Sequence, residues 1–374
     1  MDIRSLVSRS TIASGVLISF GCLGATSASA APAVRVAFSH ARYHLSYRHR
    51  EIEIQDISAT GPRVAWAIAR RVNAAANPTD GVLLRYGGRR WAAVSYPGER
   101  TFFPDSVTAL SPTDVWLFGF ESGSGAALHY VNGAWSSFPL PADTVGAWLV
   151  LSDADIWVAA GPLQIPGCNS HEFGPGCSAA AHWNGATWQY YPVGVSNLTS
   201  LAGTSATTIW AAGYNAVETK SPDWLQPLVF RLAGSTFKRA SLSARQTDFV
   251  PLLTVVSHHS VWLGGTTPRG APDTCITHWN GQRWSAFSTA PTGYQGLCDN
   301  LLADGHNGVW FAPELHWTGS EFVQYSRPPV VPQNGGLSEG VAVVPGSRFQ
   351  WVYGFVQPHL HGARQITGFI YQRG

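Results

Sequence analysis

Ser260-Val261-Trp262-Leu263-Gly264-Gly265, followed after ten residues by Ile276-Thr277-His278-Trp279-Asn280-Gly281-Gln282-Arg283-Trp284, decides the fold. The first stretch is a β-branched and aromatic run closed by two glycines, the pattern of a strand ended by a turn. In the second, Asn280-Gly281 sits between two apolar runs. Both residues tolerate positive φ, and a type I′ turn suits strand twist, so the spacing predicts a hairpin. Leu252–Val256 supplies a fourth strand. A lone four-stranded sheet cannot cover both of its faces, whereas stacked copies can.

The same pair returns along the chain. Aligned on the upstream Trp, seven copies place anchors at Trp66, Trp116, Trp157, Trp210, Trp262, Trp310 and Trp351, spaced by 41 to 53 residues. That is the period of propeller blades. Each anchor is expected to fill the gap between neighbouring sheets, where burial of so large a ring stabilises by roughly 3 kcal/mol. The expected fold class is therefore all-β, a seven-bladed β-propeller of four-stranded antiparallel blades spanning residues 31–374 as one domain. Copy seven stops at Gly374, before an outermost strand. Residues 31–50 belong to no copy, so Val34–Phe38 or Tyr43–Tyr47 is expected to complete the last blade and close the ring.

Composition sets the class and the compartment. The chain has 374 residues with 39 Gly, 24 Pro and 16 Trp but only 12% charged residues, which suits a turn-rich, aromatic-rich domain. A net charge of +2 argues against nucleic acid or an anionic membrane as partner. Residues 1–30 read as a cleavable signal peptide: Arg4 and Arg9, an apolar run from Thr11 to Leu23, then Ala28-Ser29-Ala30. The expected product is secreted and monomeric. No later segment is apolar for long enough to span a membrane. Removing the leader removes Cys22 and leaves Cys168, Cys177, Cys275 and Cys298. An even count in an exported chain points to disulfides.

Strands are lettered a to d from the axis outward. The a–b and c–d turns are short. The b–c connections are long at 69–82, 161–179, 213–227, 265–274 and 355–366, so one face carries nearly all the insertions, and loops on a rigid scaffold usually carry function. All four cysteines fall on that face, which pairs Cys168 with Cys177 and Cys275 with Cys298. His129, His182, His278 and His316 share one strand-c position far from the axis, where equivalent residues do not converge. A repeat-borne structural role is the expectation for them. Positions at the start of strand a do converge. Asp105 and Asp299 each stand eleven residues before an anchor, and Asp248 lies near the same level. Acids at a channel mouth suit a hard cation such as Ca2+, or they cap turns. In the b–c loops, Trp224 beside Asp223 suits stacking on a sugar and bonding its hydroxyls, or packing on a neighbouring loop. No G-x-S-x-G, H-E-x-x-H or phosphate-cradling glycine loop is present.

The D-V-W-x-x-G…H-W-N-G-x-x-W unit resembles repeats of secreted bacterial β-propellers grouped with galactose-oxidase-like and kelch-like proteins. Asn184-Gly185-Ala186-Thr187-Trp188 also resembles an Asp-box. The resemblance covers residues 51–374 and implies fold, not activity. Only Gly264-Gly265 matches the kelch glycine pair, and no arginine triad or copper-site cysteine can be placed, so no catalytic residue carries over. The reading of function is a non-catalytic binding propeller for a glycan or protein, engaged through the b–c face. The alternative is an extracellular glycoside hydrolase or lyase using acids at the central channel.

Overall fold

The structure, a computed structural model, describes residues 38–40, 43–44, 51–73, 78–141, 144–163, 177–216, 225–242, 250–266, 276–287, 300–326, 337–345, 347, 349–356, 359–360, 363–364 and 367–373. Strands arrange as seven antiparallel four-stranded sheets in chain order, one of them extended by a fifth, parallel strand. The protein is a seven-bladed β-propeller. Blade 2 shows the plan: Phe102–Ser111, Asp114–Glu121, Ser124–Val131 and Ala134–Phe138 pair in sequence from strand a to strand d.

All seven anchor indoles are buried, each at 1% exposure. Each lies in its own cluster with the following blade. Trp157 packs with Leu198, Leu201 and Ile209 of blade 4, and Trp262 packs with Val309 and Phe311 of blade 6. Trp351 of blade 7 packs with Ile54, Ile57 and Ala65 of blade 1. A row of seven blades would have six seams. The packing of Trp351 against blade 1 makes the seventh, so the sheets form a ring. Arg373 ties the penultimate seam from blade 7. Its guanidinium lies 4.1 Å from the Trp310 ring centroid, Nη1 donates to the Pro313 carbonyl at 2.6 Å, and Nε donates to Gln350 Oε1 at 2.9 Å.

The hairpin turns split into two kinds. Asn132 and Gly133 both have positive φ, 49° and 98°, in a two-residue loop closed by the Val131–Ala134 pair. That is the turn expected from an Asn-Gly pair. The loop at Asn280 is longer, because Trp279 pairs with Trp284. There only Gly281 takes positive φ, at 93°. Asn280 works through its side chain, whose Oδ1 accepts from the backbone N–H of Gln282 and Arg283. Asn184 does the same for Ala186 and Thr187. Two extra residues relax the demand for two left-handed conformations and replace it with an Asx-type cap.

Of the two N-terminal candidates, Val34–Phe38 lies outside the described residues except for Phe38, and Tyr43–Tyr47 is described only at Tyr43–His44. Phe38–His40 pairs antiparallel with Thr367–Arg373 on the outer side of blade 7. Tyr43–His44 pairs in parallel with Trp91–Val94 on the outer edge of blade 1. The arm therefore reaches both sides of the seam between the last and first blades. Residues 1–30, the expected signal peptide, lie outside the described residues, and no helix among the described residues is long and apolar enough to cross a membrane.

Deleting residues 31–50 from a chain spanning residues 31–374 is predicted to lower the melting temperature sharply, since it uncovers the edge of Thr367–Arg373 in blade 7. An unchanged thermal melt would show that the pairing contributes nothing.

Candidate functional site

The polar groups of the repeat are organised around the anchor indoles. In every blade the residue opposite the anchor on strand c lies in direct register with it: Arg85, His129, His182, Arg231, His278, His316 and Gln372. The four histidines stack on their indoles with ring centroids 3.8, 4.1, 4.2 and 4.0 Å apart. Arg85 and Arg231 sit over Trp66 and Trp210 at 5.3 and 5.8 Å. Each histidine Nε2 then meets an oxygen at or near the a–b turn, 2.9 Å away in all four blades: Asp114, Asp155, Ser260 and Asp304. The expected structural role of these histidines holds. They cover one face of the indole and fasten strand c to the turn.

Burial pushes His278 and His316 below the usual histidine range, and at His316 the Asp304 carboxylate opposes that shift. A histidine lowered in the folded state resists a proton that the unfolded chain accepts. Stability is therefore predicted to fall as pH drops from 7.5 to 5.5, through the ordinary histidine pKa of about 6.5. Urea titrations at both pH values should show a smaller loss for the double variant His278→Gln/His316→Gln; an equal loss would refute the assignment.

On the b–c face, two ion pairs form among the described residues. Arg70 bonds Asp105 across the seam of blades 1 and 2. Arg71 Nη1 donates to Asp80 Oδ2 at 3.3 Å. Glu53 stands in register with Arg70 and accepts from Gln55 Nε2 at 3.2 Å. Burial raises the carboxyls of both Glu53 and Asp105, and the Arg70 charge works against it. Asp105 does sit at the start of strand a, but a cation there would have to compete with a guanidinium already in contact. The other four sequence candidates, Trp224, Asp223, Asp299 and Asp248, lie outside the described residues, as do the side chains of Cys168, Cys177, Cys275 and Cys298.

A deeper group went unnoticed in the sequence. Asp56 Oδ2 accepts from Val107 N–H at 2.9 Å and Ser106 Oγ at 3.3 Å, both in blade 2. Its Oδ1 accepts from Ile57 N–H at 2.8 Å and from the Tyr353 hydroxyl of blade 7 at 3.2 Å. One carboxylate thus joins three blades. Burial raises Asp56, and its four donors resist. Ser200 repeats the contact in blade 4, its Oγ accepting from Leu253 N–H at 2.9 Å. Asp56 and Ser200 both stand ten residues before an anchor Trp, as do Ser106 and Asn300. That recurrence of polar residues was the signal available.

Replacing Asp105 with Ala is predicted to destabilise the fold by about 1–3 kcal/mol, because it strands a half-buried guanidinium. Asp105→Asn should recover part of the loss, as read by urea unfolding; a neutral Asp105→Ala would refute the pairing.

No family model matches the chain, and no curated protein matches it. Solved structures do. The chain is similar to YCF48 bound to D1 peptide, at 15% identity and TM-score 0.52, over 90% of this chain and 99% of that one. It is similar to the β-propeller domain of the Trilobed protease from Pyrococcus furiosus, at 8% identity and TM-score 0.54, over 86% and 93% of the two chains. A six-bladed fungal lectin from Aleuria aurantia aligns at 10% identity and TM-score 0.43, over 65% and 80%. At such identities the first two likenesses establish the β-propeller fold of this chain and leave its ligand open.

Proposed function

We propose that the chain is an exported, non-catalytic binding propeller that takes a glycan or a protein surface on its b–c face. The observation that carries this is the inequality of the two faces. On one, the gap between strands a and b runs from two residues, as at 62–63, 112–113 and 258–259, to six at 344–349, and the repeat's histidines are fastened to indoles and turn oxygens. On the other, the gap between strands b and c runs from two residues at 122–123 to thirteen at 164–176. Segments of such unequal length do not serve a repeated structural contact, and a rigid ring holds them side by side. The long stretches 69–82 and 213–227 are shorter as loops than their sequences suggest. Strands Val64–Val72 and Pro78–Tyr86 run through most of the first, and Ile209–Ala216 and Leu225–Ala233 narrow the second to 217–224. That second gap still holds Asp223 and Trp224.

The likeness to a propeller solved with a peptide is in keeping with such a role. The hydrolase reading rests on one pair of groups, the carboxyls of Glu53 and Asp105, both raised by burial beside Arg70.

A glycan array and a chromogenic glycoside panel on residues 31–374 separate the two. Binding without turnover is predicted, at least tenfold weaker in Trp224→Ala with an unchanged melting temperature. Hydrolysis abolished by Asp105→Asn would overturn the binding reading.

A further inference from the structure

In three of the four histidine blades the Nε2 atom meets a single oxygen. Asp155 serves both His182 Nε2 and the Trp157 indole N–H, at 2.9 Å each. Asp304 meets His316 through Oδ2, while its Oδ1 accepts the backbone N–H of His306 and Gly308. In blade 5 the partner is the Ser260 hydroxyl. Blade 2 differs. His129 Nε2 lies 2.9 Å from Asp114 Oδ1 and 3.4 Å from Asp153 Oδ1, and Asp153 belongs to the a–b turn of blade 3. One imidazole nitrogen thus faces two carboxylates from neighbouring blades. Among the described residues this is the one group of three histidine and carboxylate ligand atoms within 4.8 Å of one another.

We propose that Asp114, His129 and Asp153 form a binding site for a borderline divalent transition metal such as zinc, at the seam of blades 2 and 3 and on the face opposite the long b–c connections. The spacing fits. A tetrahedral ion with bonds of about 2.0–2.1 Å holds its ligand atoms about 3.3 Å apart, and His and Asp are ordinary zinc ligands. One nitrogen and two oxygens suit zinc better than calcium, which takes six to eight oxygens. The supporting contacts are in place too. The His129 ring is fixed by stacking on Trp116 at 3.8 Å, and Asp153 Oδ1 is held by the Trp116 indole N–H at 2.9 Å. Such outer contacts orient metal ligands. Asp153 has a half-exposed side chain, at 51%, so the site opens to solvent and leaves room for a water in the fourth position. Bound, the ion would clamp strands b and c of blade 2 to the turn of blade 3.

The test uses the full mature chain stripped with chelator and titrated with zinc by calorimetry, with a thermal melt alongside. One ion per chain and a raised melting temperature are expected, with no response to calcium. Asp153→Asn keeps the oxygen that the Trp116 indole needs but weakens the ligand, and zinc affinity should drop at least tenfold. Asp304→Asn, which disturbs the equivalent contact in blade 6, should leave affinity within twofold of the unsubstituted chain. Absence of saturable zinc binding overturns the proposal. So does wild-type affinity in Asp153→Asn, which would place the ion elsewhere, or an equal loss in both variants, which would report damage to the fold.

Discussion

An indole pressed between two β-sheets is the contact on which this ring depends. Each blade is a sheet with two apolar faces, and among the described residues no helix covers either. The strand-b Trp closes one of those faces against the next blade, seven times, at 1% exposure each time. Burial of this size outweighs any single polar contact in the molecule, since one intramolecular hydrogen bond contributes only about 1 kcal/mol net. The indole has a second face, and in six blades the repeat covers that as well, with the cross-strand His or Arg. A flat π-surface accepts a cation or another ring equally well, which explains why the position tolerates His129 in blade 2 and Arg85 in blade 1.

Polar groups in the seams do a different job. Apolar packing is non-directional and would let blades slide. Asp56 and Ser200 fix the offset, because each receives the backbone N–H of a strand in the following blade. Asp56 extends this across the closure, holding Tyr353 on one side and Val107 on the other. A buried carboxylate is costly unless its lone pairs are filled, and here four donors fill them. The seam where the chain's two ends meet is also the one with this charged buckle. There the N-terminal arm pairs with the outer strands of both blades, and the Asp56 bonds add direction nearer the axis.

The same division accounts for the unequal faces. Turns on the a–b and c–d face hold the spacing of histidine, turn oxygen and indole, and the gaps there run from two to six residues. Connections on the b–c face are tied to no repeated contact and are free to differ in length. The Arg70–Asp105 and Arg71–Asp80 pairs stand on that face at blade 1 and its seam with blade 2, and each neutralises its own charge locally. A ligand there would meet paired, partly desolvated groups rather than a field of one sign.

Periodicity made the blades legible. The anchors, the strand-c histidines and the hairpin at Asn132-Gly133 were all readable because each rests on neighbours close in sequence, and a repeat displays such rules seven times over. The sequence by itself determined a ring of seven sheets and the structural duty of its indoles and imidazoles. Only the tertiary structure decided that Asp105 is taken by Arg70, that Asp56 joins three blades, that Tyr43–His44 lies along blade 1, and that Asp153 meets His129 from the next blade. The physical reason is one of distance along the chain. Contacts across a seam join residues about fifty positions apart in repeats of unequal length, and a shift of one residue in strand a turns the side chain to the other face.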